Sequence, residues 1–549
     1  MYIIAFADKA LHLLVPLALC LTGYLYLYPV FHGCAFPSRS GSTLTAFTET
    51  LEQHFPLSYA SNVANDTVHV PFRLLVFADP QLEGDSSLPK PEDGLLPKLA
   101  RHWTKICSEE FTSIPPTVTA VTREVLLQDI PEALQALRKR LDLFGNDYYL
   151  GHIYRTLHWW TRPSHVTVLG DLIGSQWVTD GEFGGRGWRF WNRVFGSANR
   201  VADELVTLDR PEEEKTFNMD DDSWATKIIN VAGNHDIGYA GDISRHRLDR
   251  FEREFGKANW DVRFRYPLFN GTESTNTTDQ VPSLHLIVLN SLVLDTPAMS
   301  EDMQAETYDY LNSVISHRLR PVEDRSSFTL LLTHLPLYKP NGTCVDAPFF
   351  DYWGDDDGGG VYRPHGLKEQ NHLSEHVSRQ GTLEALFGMS GNRDVPAHGK
   401  GRPGLILTGH DHEGCDVWHH ISTNSTWSQS TNNTDEDRRT SWDAVRWTQM
   451  NHSSSHTGIR EVTLRSMMGD YGGNAGLLSV WFDFATGEWA YQMQMCGLNV
   501  KIWWATHVID LVVLGLSLFS LVRGILVQHD RSHAGQDKAV SPNTSKAHA

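Results

Sequence analysis

Residues 227–236 read KIINVAGNHD. The β-branched run Ile228, Ile229 and Val231 has the continuous apolar character of a strand buried on both faces, and Gly233 supplies a turn that leaves Asn234, His235 and Asp236 at its carboxyl end. The same grammar recurs elsewhere. Residues 74–77 lead to Asp79, residues 166–169 to Asp171, residues 330–332 to His334, and residues 405–407 to His410, Asp411 and His412. One apolar run ending in Asp or His carries little weight. Five describe a sheet whose strand ends converge, the position where open α/β folds hold ligands. Asp, Asn and His gathered there make an oxygen-and-imidazole donor set suited to hard or borderline divalent cations.

The chain is 549 residues long and 41% apolar, enough for one large core. Its formal charge of −19 argues against a nucleic-acid partner, because phosphate backbones are held by surplus Lys and Arg. Residues 10–31 are apolar, with Tyr24, Tyr26 and Tyr28 near the far end like an interfacial belt. They read as a transmembrane helix or an uncleaved signal anchor, with a cleaved signal peptide as the alternative. Residues 502–527 read as a second span in which Asp510 is the single acidic residue. Arg523, Arg531 and Lys538, at or beyond its far end, favour a cytosolic tail over 528–549. Residues 1–9 are then cytosolic and 32–71 a lumenal linker. A lumenal domain follows at 72–498, with insertions at 85–146, 208–224 and 422–457.

Asn-x-Ser/Thr sequons at Asn65, Asn270, Asn276, Asn341, Asn424, Asn432 and Asn451 fit exposure to the secretory lumen, whereas Asn543 falls in the expected cytosolic tail. Cys34, Cys107, Cys344, Cys415 and Cys496 lie on the lumenal side; they allow one or two disulfides of unreadable connectivity. Helical patterns at 122–143 and 148–160 read as crossover connections between strands. The acidic run at 211–222 and the cluster Asp355 to Asp357 read as solvated loops. The glycines at 358–360 read as a flexible loop near the site, and 422–456 as an exposed excursion before a strand at 460–464. Trp159 and Trp160 read as packing residues.

At the strand ends, an Asp can bridge two cations about 3.5 to 4 Å apart, an arrangement suited to phosphoryl displacement. Asp171 is the bridging candidate. His235 adjoins a metal-ligand candidate without being needed as one, so it is the candidate acid for a leaving alkoxide, with Asp236 as an orienting or metal-adjacent group.

In sequence order the motifs FADPQ, VLGDL, AGNHD, LLTHLPL and TGHDH resemble those of the calcineurin-like metallophosphoesterases, across residues 72–498. That resemblance implies an α/β fold, a four-layered αββα sandwich here placed between two transmembrane helices, with two divalent metal ions. By the same resemblance Asp79 and His412 serve one metal, Asn234, His334 and His410 the other, Asp171 bridges them, and His235 is catalytic. One position departs: where most members carry Asp-x-His, Asp79 is followed by Pro80 and Gln81. Gln81 offers an amide oxygen in place of an imidazole nitrogen, which favours a harder ion such as manganese or leaves the site weaker.

The stretches AGNHDIGY, VLGDLIGSQW, LLLTHLPLYKPNGTC and GHDHEGCDV resemble the membrane-bound, fungal-type phosphoesterases that remodel GPI anchors. This implies removal of an ethanolamine-phosphate side branch from the glycan of GPI-anchored proteins, in the endoplasmic reticulum or early Golgi, aiding their forward transport. Arg245, Arg247 and Arg465 are the candidate substrate residues. The tail carries no dilysine retention signal. Two other readings stand beside this one. One is a metallophosphoesterase for a different lipid or sugar phosphate, bearing on metal homeostasis; the other is a catalytically weak binding protein associated with GPI cargo.

Overall fold

The structure, a computed structural model, describes residues 2–55, 70–84, 88–110, 113–208, 214–267, 281–358, 360–392, 394–422, 441–450 and 457–539. The chain forms two compact units, one of Gly33–Leu498 and one of Met1–His32 with Asn499–Ala549.

In the larger unit, apolar runs become the inner strands of two sheets. The first sheet runs Glu488–Gly497, Asn474–Asp483, Phe72–Phe77, His165–Val168, Lys227–Asn230, Asn199–Arg200. The second runs Ser441–Arg446, Cys415–Ser422, Gly458–Thr463, Gly404–Thr408, Ser327–Thr333, Ser283–Leu289, Trp260–Arg265, Thr216–Asn218. In the first sheet, Phe72–Phe77, His165–Val168 and Lys227–Asn230 are mutually parallel. In the second, Ser283–Leu289, Ser327–Thr333, Gly404–Thr408 and Gly458–Thr463 are parallel. Parallel pairing brings the carboxyl ends of each set to one edge, which is where the polar motifs follow.

Alternation decides the layers. Leu74, Val76, Leu478 and Val480 of the first sheet pack with Leu284, Leu286, Leu330, Leu332, Leu405 and Leu407 of the second in one buried core. On the other face of the first sheet, Phe77 meets Tyr154 of the Ile130–Thr161 helix and Phe195, at centroid distances of 6.2 and 5.8 Å. Outside the second sheet, the Glu301–Ser316 helix buries Met303, Leu311 and Val314. Helix, sheet, sheet and helix are the four layers of the expected sandwich.

Several elements differ from expectation. The patterns at 122–143 and 148–160 belong to a helical stretch whose last part, Ile130–Thr161, is continuous. Asp147, which marks the apparent gap, is buried and paired with Arg189 and Arg193 at 2.6 and 2.9 Å. Trp160 is buried with its indole N–H donated to the Cys34 carbonyl. Of the excursion at 422–456, Ser441–Arg446 is a strand that buries Trp442 and Ala444; residues 423–440 and 451–456 lie outside the described residues. The acidic run is not wholly solvated either. Glu214 is buried against the guanidinium of Arg263, 2.8 Å away, beside His285 and Asp261. Asn341 lies in an exposed turn, where its Oδ1 accepts the Ala347 N–H, while the other seven sequons lie outside the described residues.

The disulfides are Cys34–Cys496 and Cys344–Cys415. In the smaller unit, Ala7–Tyr26 and Val500–Gln528 are long and apolar enough to cross a membrane. The first helix stops at Tyr26 and residues 28–31 form a separate turn, because Pro29 has no N–H to continue the ladder. Thr22 donates its hydroxyl to Asp510 at 3.1 Å, joining the two helices.

Candidate metal centre

Each parallel strand delivers its polar residue through a sharp turn. Asp79, Asp171 and His410 all take positive φ, 50°, 51° and 74°, a conformation costly for residues with a Cβ. The neighbouring glycines permit the crowding. A Cβ on Gly170 would lie 2.3 Å from His334 Nδ1, and one on Gly233 would lie 2.0 Å from the Asp171 nitrogen.

Two groups of donors result. In one, ligand atoms of Asp79, Asp171 and His412 all fall within 4.8 Å of one another. Gln81 joins them through its amide nitrogen and not the expected oxygen: Nε2 donates to Asp171 Oδ2 at 3.0 Å and lies 3.0 Å from His412 Nε2. In the other, Asn234 Oδ1 lies 3.0 Å from both His334 Nε2 and His410 Nδ1. Asp171 belongs to both, since its Oδ1 is 3.4 Å from His334 Nε2. Asp79 is further held by the His410 backbone N–H, and its carbonyl accepts the Ser466 hydroxyl.

The protons identify what the second group lacks. His334 Nδ1 faces the Leu169 carbonyl at 2.8 Å, and His410 Nε2 faces the Gln370 carbonyl at 2.8 Å, so each of those nitrogens carries the hydrogen. His334 Nε2 and His410 Nδ1 therefore turn bare lone pairs on the Asn234 oxygen. Three acceptors in mutual contact call for a cation between them.

Charge points the same way. Burial, then the neighbouring Asp171, pushes the Asp79 carboxyl well above the usual range. Burial would raise Asp171 too, but it faces His334, His235 and His410 and is the member of the pair that stays ionised. Burial pushes His410 down to about 3 and lowers His334 and His412, so the imidazoles are neutral. A buried pair of carboxyl groups that keeps only one member ionised, beside neutral imidazoles and amides, lacks the counter-charge that metal ions supply. The residues present fit two cations sharing Asp171.

The other expected residues fall in different places. The His235 ring is 38% exposed and faces solvent beside the centre, with Nε2 3.8 Å from Asp171 Oδ2 and its backbone N–H donated to Asp171 Oδ1 at 2.8 Å. Asp236 turns away from that ring. It accepts the backbone N–H groups of Ile173 and Gly233 at 3.0 and 2.8 Å, locking the AGNHD turn to the segment after Asp171. Arg245 pairs with Glu306, Arg247 with Asp242 and Arg465 with Glu413; none of the three lines the cleft at the centre.

That cleft, about 630 Å³, is bounded by the donors and by residues the sequence did not single out: Tyr239, Trp353, Lys368, Glu369 and Asn371. Tyr239 follows AGNHDIG directly, a signal that was available. The others sit on and beside a ribbon of Phe350–Tyr352 and Leu367–Gln370, whose two strands flank the glycines 358–360 expected to form a flexible loop. Its polar strands are too short for a periodicity to show.

Parallel strand ends converging from two packed sheets on a shared aspartate and an Asn/His donor set define a calcineurin-like metallophosphoesterase. No known family profile matches the chain. Protein TED1 of Saccharomyces cerevisiae is 32% identical over 542 residues, covering 89% of this chain and 93% of that protein. Metallophosphoesterase 1 of Rattus norvegicus is 23% identical over 291 residues, 51% of this chain and 57% of the relative. Among solved structures, the GAP50 anchor of the Plasmodium inner membrane complex aligns over 78% of this chain and 88% of its own at 9% identity and TM-score 0.25, too weak a likeness to support an inference. The chain belongs to the metallophosphoesterase family that includes Protein TED1.

Proposed function

We propose that this protein is a lumenal, metal-dependent phosphodiesterase that removes an ethanolamine-phosphate side branch from the glycan of GPI-anchored proteins. The observation that carries the hydrolytic reading is the sharing of Asp171 between two donor groups beside the cleft that His235 faces. The GPI reading rests on the motifs of the GPI-remodelling branch and on membership of the TED1 family along almost the whole chain. The enzyme acts in the endoplasmic reticulum or early Golgi and supports the forward transport of its substrates.

When bound, the two cations supply Lewis acidity that activates the attacking water and offsets charge on the phosphoryl oxygens. The chain's own residues do the rest. Asp171 and Asp79 hold the centre, and the Gln370 and Leu169 carbonyls fix the tautomers of His410 and His334. The Asp171 carboxylate holds the backbone of His235, whose ring donates a proton to the mannose oxygen as the P–O bond breaks. Water adds its oxygen to phosphorus, and the products are ethanolamine phosphate and a free mannose hydroxyl. Manganese is the proposed metal, because an amide at Gln81 in place of an imidazole favours a hard ion. Association with a cargo receptor is a further proposal.

The test is mass spectrometry of GPI glycans from cells lacking the protein, rescued with the wild type or with His235→Ala. Ethanolamine phosphate should persist in the deletion and disappear only with the wild type. Unchanged glycans on deletion would overturn the substrate. Equal rescue by both proteins would overturn the role of His235.

A further inference from the structure

Beyond the donor groups, the cleft carries charges of its own. Lys368 and Glu369 line it side by side on the Leu367–Gln370 strand. Lys368 is engaged: its Nζ lies 3.3 Å from Asp357 and 3.6 Å from Asp351, and 5.1 Å from the centre of the Trp353 ring. Arg247 lies behind Trp177, 4.1 Å from the ring centre, and is held by Asp242. Glu369 is exposed to the cleft, and among the described residues no ion pair or hydrogen bond engages its carboxylate.

Two observations place that carboxylate near the reacting centre. The next residue, Gln370, accepts the His410 Nε2–H through its carbonyl, so the ribbon is tied directly to a donor. Tyr239, whose ring meets that of His410 at a centroid distance of 6.2 Å, lines the same cleft as Glu369, Asp171 and His412, so the carboxylate and the donors share one space. Phosphate is met by cations at the centre, while the unpaired charge left in the cleft is negative. The complement is a substrate anionic at phosphorus and cationic a short arm away.

We propose that Glu369 is a specificity-determining residue, its carboxylate receiving the ammonium of the ethanolamine arm while phosphorus sits at the metal centre. This rests on the reading of the substrate as an ethanolamine phosphodiester. Two methylenes separate ester oxygen from ammonium, so the arm is short enough to stay within one cleft. An ionised acceptor and an ionised donor make a charge-assisted hydrogen bond, stronger than a neutral one.

The test uses the full-length protein in detergent micelles with manganese and two p-nitrophenyl phosphodiesters, one bearing a 2-aminoethyl group and one an uncharged propyl group. The readout is the ratio of their kcat/KM values. Wild type should prefer the aminoethyl ester by about tenfold, Glu369→Gln should bring the ratio close to unity through a higher KM for that ester, and Glu369→Asp should keep part of the preference. A ratio that is the same in wild type and Glu369→Gln overturns the proposal, whether the preference survives, never existed, or both esters fail together. The glycan measurement separates the two claims. If the glycans change as expected while the ratio does not, Glu369 alone is wrong; if they do not change, the substrate reading fails by itself.

Discussion

Gln81 sits between Asp171 and His412, and its amide is the group through which this chain differs most from the common pattern at the first donor group. Removing it should cost affinity at that group alone. Gln81→Ala is expected to weaken manganese binding by about 10- to 100-fold, and Gln81→His to restore or tighten it, as read by titrating activity with the metal. His235 plays a different part. It faces the cleft without joining the donor contacts, so His235→Ala should lower kcat by about 10²- to 10⁴-fold with metal content kept, measured by kinetics alongside elemental analysis. The donor residues were legible because each directly follows an apolar run, a local signal. Asp236 was expected as an orienting or metal-adjacent group, and its place in holding the turn was not legible, since its partners, Ile173 and Gly233, appear only once two strand ends meet. Glu369 was missed for a similar reason: a lone carboxylate on a short polar ribbon has no pattern to mark it.

The elements that hold the donors are cross-linked behind them. Cys344, ten residues after His334, joins Cys415, three residues after His412, closing a loop of sequence separation 71. Nearby, Lys339 is buried with its Nζ 2.9 Å from Glu461, and the same carboxylate takes the His419 ring. Burial would raise Glu461, but Lys339 and His419 hold it down at about 2. Replacing both cysteines by serine is expected to destabilise the fold by about 4 kcal/mol on the chain-entropy estimate and to lower metal occupancy with it. Chemical denaturation and elemental analysis of the double variant would show both effects; a fold weakened with its metals intact would separate the clamp from the centre. Strand and helix positions were readable where apolar runs were long. The exceptions have physical causes. Asp147 looks like a break until Arg189 and Arg193 cover it, and Ser441–Arg446, short and set inside a polar, sequon-rich stretch, becomes a strand by pairing antiparallel with the preceding strand Cys415–Ser422.

At the scale of the molecule, two sheets set their parallel strand ends against each other, and protons and metals compete for the junction. Burial and Asp171 keep Asp79 protonated in the metal-free fold over a window above the ordinary carboxylate pKa, where the unfolded chain has already lost that proton. The metal-free fold therefore loses stability as pH rises through that window. Metal binding requires the ionised form and releases the proton, so affinity rises over the same range. The gain in Tm from manganese should accordingly be larger at about pH 7 than at about pH 5, as calorimetry of metal-loaded and chelated protein would show. The sandwich itself was legible from five motifs in order, whereas the pairing of cysteines and the order of strands in each sheet depend on contacts between distant segments.

The central claim is that these strand ends form a metal-dependent hydrolytic centre for an ethanolamine phosphodiester. The most direct measurement is the release of ethanolamine phosphate from isolated GPI glycans by the purified full-length protein, after chelation, after return of manganese, and in Asp171→Asn. The account predicts release that stops on chelation, returns with the metal and is absent in the variant. Release that survives chelation, or that Asp171→Asn leaves intact, would contradict it.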